Sequence, residues 1–99
     1  MQLQVLQNKI ESRTAKLAVI GLGYVGLPVA ALFAKEGFQV IGIDIKKDRV
    51  DLINKGISPI EGKEPGLNEL IKDVVTEGTF SATTEYEKLR DVDVIFIDV

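Results

Sequence analysis

A chain of 99 residues, 45% of them apolar, holds one modest core, and its net charge of −3 argues against nucleic acid or an anionic membrane surface as the main partner. It contains no cysteine and no histidine, which excludes a disulfide framework, a thiolate or imidazole metal site and a cysteine nucleophile within these residues. No apolar run reaches membrane-spanning length and the N-terminus lacks a signal peptide's continuous apolar stretch, so the expected location is cytoplasmic.

Residues 1–15 read as a leader. Leu3, Leu6 and Ile10 fall at helical spacing, so a short helix and a polar tail with a few apolar residues are both open. The folded unit is expected over residues 16–99. Its first strand is Leu17-Ala18-Val19-Ile20, apolar at successive positions as in a strand covered on both faces. A helix then runs to about Glu36. Pro28 lies in its first turn, where a missing N–H costs little, and Ala30, Ala31 and Ala34 allow close approach to a sheet. Gly37 is placed to end it in a left-handed conformation.

Between strand and helix stands Gly21-Leu22-Gly23-Tyr24-Val25-Gly26-Leu27-Pro28. In a strand–turn–helix setting G-x-G-x-x-G has a mechanism. The first glycine permits the tight turn, the second lets backbone approach a pyrophosphate, and the third lets the helix pack on the sheet. The helix N-terminus offers free N–H groups and a positive dipole end to the phosphates.

A second strand over 38–43 ends at Asp44, 18 residues beyond Gly26. There a dinucleotide fold places the carboxylate that accepts from the adenosine ribose hydroxyls. The same carboxylate repels a 2′-phosphate, which favours NAD over NADP. The other reading of Asp44 is a cap for the helix beginning near Lys46. Arg49 reads either as a cation near the adenosine or pyrophosphate, or as a solvated surface residue. Tyr24's side chain reads as part of the site or as a ring packed beside the turn.

Residues 48–55 form a second helix with Val50 and Ile53 inward and Gly56 closing it. A loop dense in glycine and proline follows. Leu67, Leu70, Ile71 and Val74 then mark a third amphipathic helix that Gly78 stops. A short strand over 80–84, a helical turn through Tyr86 and Leu89, and an apolar strand over 92–99 complete the chain. Right-handed crossovers give an α/β, Rossmann-type parallel sheet in the order 3-2-1-4 with flanking helices, cut after the fourth strand.

The glycine fingerprint with Tyr24 and Val25 inside it, Asp44, Arg49, Asn54-Lys55-Gly56-Ile57-Ser58-Pro59-Ile60 and Glu64-Pro65-Gly66-Leu67 together resemble the UDP-glucose/GDP-mannose dehydrogenase family. Phe80-Ser81-Ala82-Thr83-Thr84 and Asp93-Val94-Ile95-Phe96-Ile97 fit its pattern too, and Leu27-Pro28 with the Gly62-x-Glu64-Pro65-Gly66 spacing look more like the UDP-N-acetylmannosamine branch. The resemblance implies the NAD-binding part of a longer homo-oligomeric enzyme that oxidises the C6 hydroxyl of a UDP-sugar to a uronate in two NAD-dependent steps. The UDP-sugar and the catalytic cysteine, lysine, asparagine and glutamate belong to a later domain, so no catalytic residue and no metal ligand is expected here.

By the same resemblance Gly21, Gly23, Tyr24, Val25 and Gly26 match the phosphate loop, Asp44 the ribose carboxylate, and Arg49 the basic residue after it. The loop with Pro59 and Glu64-Pro65-Gly66 reads as a structural corner rather than a direct ligand contact, and no role attaches to Asp98. The alternatives are a UDP-glucose 6-dehydrogenase, a related dehydrogenase acting on β-hydroxy acids and, from another class, a nucleotide-sensing regulatory domain of an ion channel. The last does not account for the Pro59-Ile60 and Glu64-Pro65-Gly66-Leu67 elements.

Overall fold

The computed structural model describes residues 14–60 and 66–98. Its strands are β1 (Lys16–Ile20), β2 (Gln39–Ile43), β3 (Phe80–Thr83) and β4 (Val94–Ile97), and its helices α1 (Gly26–Lys35), α2 (Lys47–Asn54) and α3 (Leu67–Glu77). A 3-10 turn over Tyr86–Asp91 leads into β4. The strands form one parallel sheet in the order β3-β2-β1-β4, as the alternation of strand and helix predicts. Residues 1–13, where a short leader helix is one expectation, and Glu61 to Pro65 lie outside the described residues.

Register fixes the two faces of the sheet. Leu17 and Val19 of β1 stand opposite Val40 and Gly42 of β2, which in turn face Phe80 and Ala82 of β3. Side chains alternate along a strand, so these positions share one face. That face packs against Ala30, Ala31 and Ala34 of α1, Val50 and Ile53 of α2, and Leu67, Ile71 and Val74 of α3, in a single buried cluster. Ala15, before the expected start of the folded unit, is also fully buried in it. Gly42 has a packing reason: a Cβ there would meet both Leu22 methyl carbons at 2.8 Å and the Phe80 ring at 3.0 Å.

The helices end as the glycines predict. Gly37, Gly56 and Gly78 all have positive φ just past the last helical turn, where a side chain would be strained. The opposite use appears at Gly66, which has φ 81° at the N-cap of α3. Asn54, the last residue of α2, reaches the outer edge of β3. Its Nδ2 donates to the Ala82 carbonyl at 2.9 Å and its Oδ1 accepts from the Ala82 N–H at 2.8 Å. One amide side chain thus stands in for the neighbouring strand that β3 lacks on that side.

The fourth strand is shorter than the apolar run suggests. Val92 follows the 3-10 turn, and Asp93 begins the pairing with its side chain: Oδ2 accepts from the Lys16 N–H at 2.9 Å while its own N–H donates to the Lys16 carbonyl at 2.7 Å. Regular pairing starts only at Val94 opposite Leu17. Ile95, Phe96 and Ile97 remain substantially exposed, although the Phe96 ring stacks on Phe33 of α1 with centroids 5.1 Å apart.

Candidate functional site

The carboxyl ends of β1 and β2 and the N-terminus of α1 meet at the glycine turn. The Gly21 N–H donates to the Ile43 carbonyl at 2.8 Å, tying the turn to the end of β2. The three glycines then divide their tasks. A Cβ on Gly21 would run into the Asp98 carbonyl oxygen, and one on Gly26 into the Gly21 carbonyl oxygen. Both are required by the fold itself. Among the described residues a Cβ on Gly23 would meet nothing within 4 Å, so they give no steric reason for a glycine there. Open space over Gly23 fits a group that approaches the backbone from outside.

The amides around it have the same character. Leu27 N–H bonds to the Gly23 carbonyl and Leu22 N–H to Asp44, whereas the N–H groups of Gly23, Tyr24 and Val25 have no acceptor among the described residues. They surround the positive end of the α1 dipole, a setting suited to phosphate oxygens. The Tyr24 side chain is 72% exposed; it is not packed beside the turn.

Asp44 lies immediately beyond β2 and is buried, 7% exposed. Its Oδ2 accepts from the Leu22 N–H at 3.0 Å and from Arg49 Nη1 at 3.4 Å, and its Oδ1 accepts from the Lys46 N–H at 2.9 Å. Burial pushes this carboxyl up, but the Lys46 and Leu22 N–H groups and the Arg49 charge together outweigh it, holding the pKa below the ordinary carboxylate value. Asp44 is therefore an anion. The bond to Lys46 closes a local turn before α2, so the expected capping role is partly real, but Asp44 also braces the glycine turn through Leu22. An ionised carboxylate has about four acceptor positions; three are taken, which leaves capacity for a hydroxyl.

Arg49, on the first turn of α2, is not a solvated surface residue: it pairs with Asp44 and its side chain is 28% exposed. With Gly23, Tyr24, Pro59 and Ile60 it lines a cleft of about 250 Å³. The loop after α2, read from sequence as a structural corner, therefore also forms a wall of this cleft. Its described end is held by Ser58, whose N–H donates to Asn68 Oδ1 at 2.9 Å and whose Oγ accepts from the Ile60 N–H at 3.3 Å. A second cleft at the end of β1 is lined by Gly21, Asp44, Tyr86 and Asp98 among others.

Sequence reasoning missed the Leu22 amide and Asp98, which long-range geometry brings to the glycine turn; the Pro59-Ile60 wall corresponds to the ligand-contact alternative weighed for that loop. The signal for Asp98 was available, because the strand order sets the end of β4 beside the glycine turn. Among the described residues no cluster of acidic side chains has a metal-holding arrangement, and no helix is long and apolar enough to cross a membrane.

A parallel sheet with free amides at a glycine turn and an ionised aspartate at the end of the next strand defines a dinucleotide-binding α/β domain. A model of the UDP-glucose/GDP-mannose dehydrogenase family, NAD binding domain, matches residues 15–99. The chain belongs to that family, and its cofactor is NAD. It is 54% identical over 69 residues to a UDP-N-acetyl-D-mannosamine dehydrogenase from Campylobacter jejuni, covering 70% of this chain and 16% of the relative. It is 42% identical over 85 residues to a GDP-mannose 6-dehydrogenase from Pseudomonas aeruginosa, covering 85% and 19%. An NDP-N-acetyl-D-galactosaminuronic acid dehydrogenase from Methanosarcina mazei superposes with a TM-score of 0.81 at 34% identity, over 95% of this chain and 22% of that one. The chain thus spans about a fifth of the length of these relatives. The family assignment lends no support to the ion-channel reading.

Proposed function

We propose that this chain is the cofactor-binding portion of a nucleotide-sugar 6-dehydrogenase that oxidises the C6 hydroxyl of a UDP-sugar, UDP-N-acetylmannosamine, to a uronate in two NAD-dependent steps. In this reading Asp44 accepts from the adenosine ribose hydroxyls, and the Tyr24 and Val25 N–H groups serve the pyrophosphate above Gly23. Gly21 and Gly26 shape the turn. Arg49 holds Asp44 in place and borders the adenosine cleft with Pro59 and Ile60. NAD supplies the hydride acceptor when bound, while this chain contributes its binding and orientation. The UDP-sugar is held by residues outside this chain, in a homo-oligomeric cytoplasmic enzyme.

The observation that carries the reading is the conjunction at Gly23: among the described residues no packing need for glycine and three amides without an acceptor, beside a buried anionic Asp44 at the next strand end. The mannosamine branch is favoured by the 54% identity to the Campylobacter relative; the GDP-mannose relative matches a longer stretch at lower identity. Calorimetric titration of the chain with NAD and NADP tests the cofactor assignment. The expected result is saturable NAD binding, weaker NADP binding, and loss of both in Asp44→Ala. NADP binding tighter than NAD overturns the role given to Asp44. In a protein of the relatives' length, turnover of UDP-N-acetylmannosamine but not GDP-mannose or UDP-glucose is expected, and the reverse preference overturns the substrate assignment.

A further inference from the structure

The first N–H of α1 is already occupied by an anion from within the chain. Asp98 follows β4, is half-buried, and its Oδ2 accepts from the Gly26 N–H at 3.0 Å. Its backbone is fixed, because the Asp98 N–H donates to the Ile20 carbonyl at 2.8 Å and so carries the β1–β4 ladder one residue further. The Asp98 carbonyl lies where a Cβ on Gly21 would be, and its Oδ2 would be 3.3 Å from a Cβ on Gly26. The carboxylate is therefore seated between the first and third glycines. Helix α1 has no acidic residue in its first turn and no side-chain cap from Val25. Among the described residues no cation pairs with Asp98, in contrast to Asp44, which has Arg49.

We propose that Asp98 is an affinity-determining residue that lowers NAD binding by competing with the pyrophosphate for the positive end of α1. The proposal rests on the reading of Tyr24 and Val25 as pyrophosphate donors. A helix N-terminus stabilises one adjacent negative charge. With a carboxylate already seated on Gly26, a second anion gains less from the dipole and meets like-charge repulsion in a partly desolvated turn. Asp98 also shares its cleft with Asp44, so two negative charges flank the end of β1. The adenosine end of the ligand carries no charge and is indifferent to Asp98.

The test is titration of NAD, and separately of adenosine, into the unaltered chain, Asp98→Asn and Asp98→Ala, with folding checked by circular dichroism. Asp98→Asn retains an acceptor for the Gly26 N–H while removing the charge. NAD binding roughly tenfold tighter to Asp98→Asn, with adenosine binding unchanged, is expected. NAD binding by the unaltered chain that is equalled or weakened in both variants makes Asp98 a purely structural brace and overturns the proposal alone. A gain shared equally by adenosine also overturns it, since the effect is then not on phosphate. Absence of saturable NAD binding in all three proteins overturns the proposal together with the pyrophosphate reading.

Discussion

The glycine turn separates what the fold needs from what a ligand needs, one residue at a time. Gly23→Ala adds a methyl group that meets nothing among the described residues, at a position without positive φ. Stability is expected to change by less than about 1 kcal/mol, within the range of surface substitutions, while NAD affinity is lost. Gly26→Ala drives its new methyl into the Gly21 carbonyl and should destabilise by about 1–3 kcal/mol as an overpacked site does. Urea denaturation beside NAD titration checks the pair; Gly23→Ala binding NAD normally would remove the ligand-facing role of that glycine. Asp44 offers a separate check through pH. Its folded pKa is depressed, so its ionic contacts contribute fully above the unfolded-state value of about 3.9 and are lost as pH falls through the lower folded value. Asp44→Asn is expected to be less stable than the unaltered chain at neutral pH, with the gap narrowing below about pH 4. A gap independent of pH would mean that the lost stability comes from geometry and not from charge.

At the level of elements, much was legible because each helix and strand carries its own punctuation. Gly37, Gly56 and Gly78 end helices by taking a left-handed conformation that costs glycine no strain, and Ala30, Ala31 and Ala34 mark a close-packed face, all of which short windows of sequence contain. What the sequence hid depends on distant partners. The Leu22–Asp44 bond spans 22 residues and the Gly26–Asp98 bond 72, and neither leaves a periodic trace. Asn54 shows the difference well. Its place at the end of α2 was readable, but its pairing with both backbone groups of Ala82 was not. Asn54→Ala leaves the largely buried Ala82 N–H and carbonyl unpaired, and is expected to cost about 1–3 kcal/mol for each group that water does not reach. The loss should appear as a lower urea midpoint with an unchanged slope. An unchanged midpoint would show that water replaces the side chain at no cost, and that β3 tolerates an open edge.

At the scale of the whole molecule, the three helices among the described residues pack against one face of the sheet. Ala18, Ile20, Ile41, Ile43, Ile95 and Ile97 share the other by register; Ala18 and Ile43 are fully buried there, whereas Ile95 and Ile97 at the β4 edge are 45% and 68% exposed. Parallel strands apolar on both faces belong to sheets covered on both sides, which suits a chain spanning about a fifth of its relatives. Chemistry divides in the same way. In the proposed reading the described amides and Asp44 address the adenosine and pyrophosphate of the cofactor, one mononucleotide half of a site that normally has two. The chain contains neither cysteine nor histidine, so it has no thiol to form the thiohemiacetal that the family resemblance implies, and no imidazole to act as base. Hydride transfer further requires the nicotinamide and the sugar carbon to be held at near contact, and that positioning supplies a large part of the rate. The 99-residue chain mixed with NAD and either UDP-N-acetylmannosamine or GDP-mannose is therefore expected to produce no NADH above a protein-free control, even where titration shows NAD bound. Absorbance of NADH decides the matter. Steady NADH formation that depends on both the chain and the sugar nucleotide would place substrate recognition and the catalytic base among these residues, and would overturn the division of labour between this domain and the rest of the enzyme.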